Sequence, residues 1–298
     1  MKKLLALFLS AVCVMGTLSA CGEVTTATDE PAASGNEAGT SDASASTDVV
    51  DDYGTIVANG KMVIGITEYE PMNYYDESGT LIGFDTEFAQ AICAKLGITA
   101  EFQVIDWDMK ETELKSGNID CIWNGLTVTE DRRENMDFST SYLTNRQCVV
   151  INSANADTYT DAASLSTALI TAEGGSAGES AITSDANLSQ ANYTASSSQA
   201  DALLALKAGN YDAIVIDYTM ATASAGSGDY ADMMIVDGIT LANEEYAIGF
   251  RLGSNMTDKV NEAISEMIAD GSLAELAAKY ELTDLYEAAI AANATITE

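Results

Sequence analysis

Two groups of opposite charge carry the chemistry open to this sequence. The first is Arg132, in TVTEDRRENMDFSTSY (127–142), where Thr129 is placed to cap a helix that begins at Glu130. A capping box would put Glu or Gln third after the cap, yet Arg132 stands there. A cation at the positive end of a helix is disfavoured by roughly a few tenths of a kcal/mol. Either Glu130 and Asp131 offset it locally, or Arg132 turns into a cleft and holds a carboxylate by two parallel hydrogen bonds. The second group is Asp217, at the end of the apolar run YDAIVID. It either caps the next helix or, across a cleft from Arg132, fixes an ammonium group. A zwitterion needs both, with a turn where backbone can approach, and AEGGSAGES (172–180) offers one. That turn lacks the Lys of a P-loop and the spacing of a dinucleotide fingerprint, which argues against a nucleotide. Tyr69 and Trp107, in TEYEPMNYY and IDWDMKE, are aromatic faces that can sandwich a ligand body or simply cover a sheet edge. Glu68 and Glu70 beside Tyr69 suit a basic or polar ligand side chain, though as loop acids they read first as solvated.

Strands and helices alternate around these groups. KMVIGIT (61–67) reads as a buried strand, FDTEFAQAICAKLG as a helix capped by Asp85 and stopped by Gly97, then ITAEFQVI as a strand, a helix near 108–116, and NIDCIWNG as a strand. This alternation predicts an α/β fold with parallel sheets flanked by helices. An internal repeat divides it: LKSGNIDCIWNG from Leu114 and LKAGNYDAIVID from Leu206 share a helix end, a Gly stop, an Asp and an apolar strand. Two lobes of like design follow, with Gly125 and Asp217 at equivalent strand ends. Ligands of open α/β sheets bind outside such ends.

Composition limits the partners. Asp and Glu number 46 against 13 Lys and Arg, for a formal net charge of −33 and no His. That balance excludes nucleic acid and an anionic membrane surface as partners, and the missing His removes the commonest general base and metal ligand. The chain opens MKKLLALFLSAVCVMGTLSACGE, with a basic start and a short apolar run, the layout of a signal peptide over 1–20. Leu18-Ser19-Ala20-Cys21 resembles the lipobox of bacterial lipoproteins, which implies that Cys21 is lipidated, for instance by palmitate, and anchors the chain outside the membrane. Residues 21–52 then form a disordered tether of small polar residues. Cys93, Cys121 and Cys148 read as buried free thiols, one disulfide among them remaining open.

From about Gly60 to Tyr280 the chain resembles the family-3 extracytoplasmic solute-binding proteins of ATP-driven polar amino-acid importers. The resemblance is carried by YEPMNYYDESGTLIGFDTEFAQAICAKLG, by IDWDMKETELKSGNIDCIWNGLTVTEDRRENMDFSTSYL, by GGSAGESAI, by AGNYDAIVIDYTMA and by EYAIGFRLGSN; T-x-x-R followed by DFS is its most specific part. It implies a two-lobed periplasmic-binding-protein-like fold of type II, each lobe a mostly parallel sheet flanked by helices. Residues 54–145 plus 247–288 would form the first lobe and 146–246 the second, with crossovers in NRQCVVIN (145–152) and EYAIGFR (245–251). It also implies that Arg132 binds an α-carboxylate with Thr127 and the backbone at Ser176 and Ala177. Asp217 and the carbonyl of Gly125 would take the α-ammonium, and Tyr69 would stack on the ligand. Trp107 and Asn124 would line the pocket. Ala177 departs from the Thr often found there, so a hydroxyl is lost while the N–H remains.

The expected protein is a lipid-anchored, monomeric binder that delivers a free amino acid to an ABC permease and its ATPase subunit. No catalytic residue, metal or cofactor is expected. Two other readings are an enzyme on the same scaffold that dehydrates a cyclic carboxylate, disfavoured by Asp217 and the lack of His, and a ligand-sensing subunit acting through a membrane partner.

Overall fold

In the computed structural model, which describes residues 50–296, the alternating pattern becomes two large sheets with helices packed against them and a separate two-stranded sheet, Tyr74–Tyr75 against Leu81–Ile82. The signal peptide, Cys21 and the tether as far as residue 49 lie outside the described residues. In chain order the strands are β1 (Lys61–Ile66), β2 (Tyr74–Tyr75), β3 (Leu81–Ile82), β4 (Thr99–Val104), β5 (Cys121–Ile122), β6 (Met136–Phe138), β7 (Leu143–Asn152), β8 (Leu169–Glu173), β9 (Asn192–Ser196), β10 (Ala213–Asp217), β11 (Met233–Ile235), β12 (Asn243–Tyr246) and β13 (Gly249–Arg251). One sheet runs β4-β1-β5-β13-β6; the other runs β11-β7-β10-β8-β9, with β12 against β7.

The expectation of mostly parallel sheets holds for part of each. β4, β1 and β5 are parallel, as are β9, β8 and β10. β13 is antiparallel to β5 and β6, and β7 is antiparallel to β10, β11 and β12. The reason is connectivity. A helix return brings the chain back to the same end of a sheet, whereas a strand arriving from the other lobe has no such return. The crossovers lie side by side, Leu143 opposite Tyr246 and Arg146 opposite Asn243. Beyond that pairing β7 runs on into the second sheet and the other crossover leads to β13 in the first.

The sequence repeat is a structural one. Gly117 and Gly209 both take left-handed backbone after their helices, at φ 74° and 75°. Asp120 and Asp212 then accept, at 2.8 Å each, from the backbone N–H of Val63 and of Leu169, on the neighbouring parallel strands β1 and β8.

Two local expectations are corrected. Ordered chain begins before residue 53: Val50 bridges Ser254, Asp51 caps the helix Asp52–Asn59, and the buried Asp52 carboxylate pairs with Arg251 Nε at 3.0 Å. Asp85 does not cap its helix, Phe84–Lys95, whose N-cap position is Gly83. The first amides of that helix bond backbone carbonyls of the preceding loop, Phe84 N to Pro71 O and Asp85 N to Met72 O. This leaves the Asp85 carboxylate free to turn inward, where Oδ2 accepts from Gly125 N at 2.7 Å and Tyr142 Oη at 2.9 Å. Burial pushes its pKa up to about 7. Around it Phe84, Phe88, Trp123 and Tyr142 are fully buried, with Phe88 and Trp123 edge to face at 5.0 Å, and this rigid cluster holds the strand end at Asn124 and Gly125. Cys93, Cys121 and Cys148 are buried free thiols.

Candidate functional site

Thr129 caps the short helix Glu130–Arg133, its hydroxyl accepting from Arg132 N at 3.2 Å. The helix sends Arg132 inward and Arg133 outward. Arg133 sits over the Phe138 ring and 3.9 Å from Glu130. The Arg132 side chain is 7% exposed, and its guanidinium donates to two carbonyls, Thr127 O at 2.7 Å and Gly175 O at 3.0 Å. Carbonyls orient a guanidinium without neutralising it, and among the described residues no carboxylate forms an ion pair with it. Burial lowers its pKa.

Gly175 belongs to the second lobe, so the contact with Arg132 crosses the cleft. The turn needs glycine there: φ is +68°, and a Cβ would stand 2.9 Å from the Asp108 backbone. The following helix, Ala177–Ser184, is capped by Ser176, which accepts from Glu179 N. The first amides of such a helix have no partner within it and suit an anion. Lys110 Nζ also donates to Gly175 O, at 2.8 Å, and to Trp107 O at 3.2 Å. Its pKa is lowered to about 8 by burial and then by Arg132.

Asp217 closes β10 at the N-cap position of the helix Tyr218–Ser224, yet makes no capping bond. Its carboxylate instead accepts from Asn145 Nδ2 at 2.6 Å and Gln147 Nε2 at 2.7 Å, both on the crossover β7, and from Gln199. Amide donors stabilise the charge without cancelling it, while burial raises the pKa. The capping alternative for this Asp therefore falls away.

Between these groups lies a narrow cavity of about 10 Å³, lined by eight of the nine expected residues: Trp107, Asn124, Gly125, Thr127, Arg132, Ser176, Ala177 and Asp217. Asn124 is a fixed wall, its side chain bonded to Thr67 and Asn73. Tyr69 is not brought to the cavity. It is 1% exposed and lies behind Gly125, with its hydroxyl bonded to Thr219 and to Tyr246 Oη. Its burial comes from the preceding β1 end, which turns inward at Thr67 while Glu68 and Glu70 stay in solvent. Two lining residues escaped the sequence reading, Glu173 and Gln199. Glu173 stands inside AEGGSAGES, where the glycines drew the reading, and its signal was an acid at the end of an apolar strand. Gln199 has no local signal.

The family model for bacterial extracellular solute-binding proteins, family 3, matches residues 62–283. The arginine-binding extracellular protein ArtP of Bacillus subtilis (strain 168) is 28% identical over 285 residues, 94% of this chain and 98% of that protein. The crystal structure of an ABC uptake transporter substrate-binding protein from Streptococcus pneumoniae with bound histidine is similar at TM-score 0.71 and 31% identity, covering 79% of this chain and 98% of that one. An ancestral arginine-binding protein bound to arginine gives TM-score 0.69 and 31% identity, over 74% of this chain and 98% of that one.

Proposed function

Because this chain belongs to the bacterial extracellular solute-binding proteins, family 3, we propose that its cavity captures a free amino acid. The observation that carries the reading is a pair of buried opposite charges, Arg132 and Asp217, set on different lobes around one cavity and each held only by neutral partners. The ligand's α-carboxylate meets the Arg132 guanidinium, Thr127 and the amides at Ser176 and Ala177. Its α-ammonium meets Asp217 and the Gly125 carbonyl, and Trp107 and Asn124 form the walls. No covalent step is involved. The lobes are 54–145 plus 247–288 and 146–246, and a ligand bonded to both favours the closed arrangement by its differential affinity for it. Cys21 anchors the protein by lipid outside the membrane, from where a monomer delivers its amino acid to an ABC permease.

The test is a thermal-shift screen against the amino acids. At about a hundredfold excess over Kd, linkage adds roughly 2.7 kcal/mol, which for a chain of this size is a rise of about 5–10 °C. Arg132→Ala and Asp217→Ala abolish that rise, and Arg133→Ala keeps it. Stabilisation by no amino acid, or an unchanged response in Arg132→Ala, overturns the reading.

A further inference from the structure

We propose that Glu173 reads the ligand's side chain and selects amino acids that end in a cation, a guanidinium or an ammonium group. The inference rests on the amino-acid reading above and adds a class of ligand to it.

Glu173 closes β8 as Asp217 closes β10, and these strands are parallel neighbours, so their ends lie roughly 5 Å apart. The second lobe thus presents two carboxylates to the cavity, and the first lobe presents one guanidinium. The α-groups of an amino acid use Arg132 and one of the acids. Asp217 is the acid already dressed with amide donors; Glu173 is left over. It is 2% exposed, and its Oε1 has no hydrogen-bond partner among the described residues. The nearby Lys110 ammonium does not serve it, being committed to the carbonyls of Trp107 and Gly175. Glu68 and Glu70, which flank Tyr69, are exposed and absent from the cavity lining.

A buried carboxylate without a counter-charge is costly, and it is relieved by a proton or by a cation. An apolar ligand side chain leaves Oε1 bare. A neutral amide supplies a hydrogen bond without charge. A cationic end supplies both. Where no cation meets Glu173, a proton takes that place. Burial and then Asp217 push the Glu173 pKa up to about 8, against the opposing pull of the Thr67 hydroxyl, Lys110 and Arg132. Entry of a cationic side chain replaces that proton, which leaves to solvent, so cation binding tightens more steeply as pH rises toward 8 than binding of a neutral amino acid, whose ammonium displaces a proton only from the Asp217 and Glu244 pair.

Calorimetric titration of the purified full-length chain with arginine, lysine and glutamine tests this, in wild type and in Glu173→Gln. Arginine or lysine binds about tenfold or more tighter than glutamine, and Glu173→Gln removes that preference. Glutamine affinity falls by less than that of either cation, and an unchanged circular-dichroism spectrum shows that the variant is folded. Arginine binding at pH 7 releases more protons than glutamine binding, read as heat that depends on the buffer, and the variant loses that excess. Tighter binding of glutamine than of either cation by the wild type overturns the inference and leaves the amino-acid reading standing. Equal weakening of all three ligands overturns it too, because Glu173 would then hold the α-ammonium. Binding of no amino acid removes both readings together.

Discussion

Asp217 and Glu244 are joined by the same two side-chain amides: Asn145 Nδ2 lies 2.6 Å from Asp217 and 3.0 Å from Glu244, and Gln147 Nε2 lies 2.7 Å and 3.1 Å from them. Asn145 and Gln147 sit on β7 and Glu244 on β12, so the paired crossover strands hold the Asp217 carboxylate that lines the cavity. Two carboxylates sharing donors in a buried place disfavour double ionisation.

Stability of the ligand-free protein should therefore fall as pH rises from about 5 to about 8. The Glu244 pKa is pushed from 4.5 to about 7 by burial and then by Asp217, whose own pKa is raised, chiefly by burial. Between those values the folded protein keeps a proton that the unfolded chain has released, so stabilisation present below pH 4.5 is lost as pH passes 7. Asp85, up to about 7, and Glu173, up to about 8, act in the same direction. Lys110, lowered to about 8, acts only above that pH and with the opposite sign. Thermal denaturation across this range shows a falling midpoint, at roughly 2–4 °C per kcal/mol. Glu244→Gln flattens the part between pH 4.5 and 7. A midpoint that rises with pH contradicts the assignment.

Arg132 and Asp217 are legible in sequence because each breaks a local rule: a cation in the first turn of a capped helix, and an acid at the end of an apolar strand. The groups that prepare them are not. Asn145 meets Asp217 across 72 residues, and Glu244 meets Thr127 across 117. No helix or strand period records such pairs. Tyr69 fails for a related reason. Its loop is polar in composition, but the fold carries the ring into the core behind Gly125, and burial of one loop residue is a property of packing rather than of neighbouring letters. The repeat fares better, because the helix stop, the Asp and the strand are all local features.

Gly125→Ala should abolish ligand binding and destabilise the protein by about 2 kcal/mol or more. At φ +57° a side chain is strained, and its Cβ would stand 2.7 Å from Tyr69 Cε1 and 3.1 Å from Tyr246 Cε2. Both rings are fixed by their hydroxyl bonds, so neither yields cheaply. Any shift also moves the Gly125 amide away from Asp85. Urea denaturation of the variant measures the loss, and a cost under about 0.5 kcal/mol, within the range of surface substitutions, would show that the two rings can move.

The two copies of the repeat should differ in the cost of losing their aspartates. In each copy the Asp adds a rung to a parallel ladder: Asp120 N donates to Val63 O while its carboxylate accepts from Val63 N, and Asp212 does the same with Leu169. Asp212 also meets the Tyr159 hydroxyl, whereas Asp120 meets a cation. Its other oxygen lies 3.3 Å from an Arg251 nitrogen, and that guanidinium also bonds Asp52 and the Ile119 carbonyl, tying β13 to the first helix in a largely buried network. Asp212→Ala removes an exposed rung and should cost about 1 kcal/mol. Asp120→Ala removes a rung and leaves Arg251 short of a partner, which should cost about 2–3 kcal/mol. Urea midpoints of the two variants decide the matter: equal losses would mean that the shared ladder, and not the Arg251 network, sets the contribution of this aspartate.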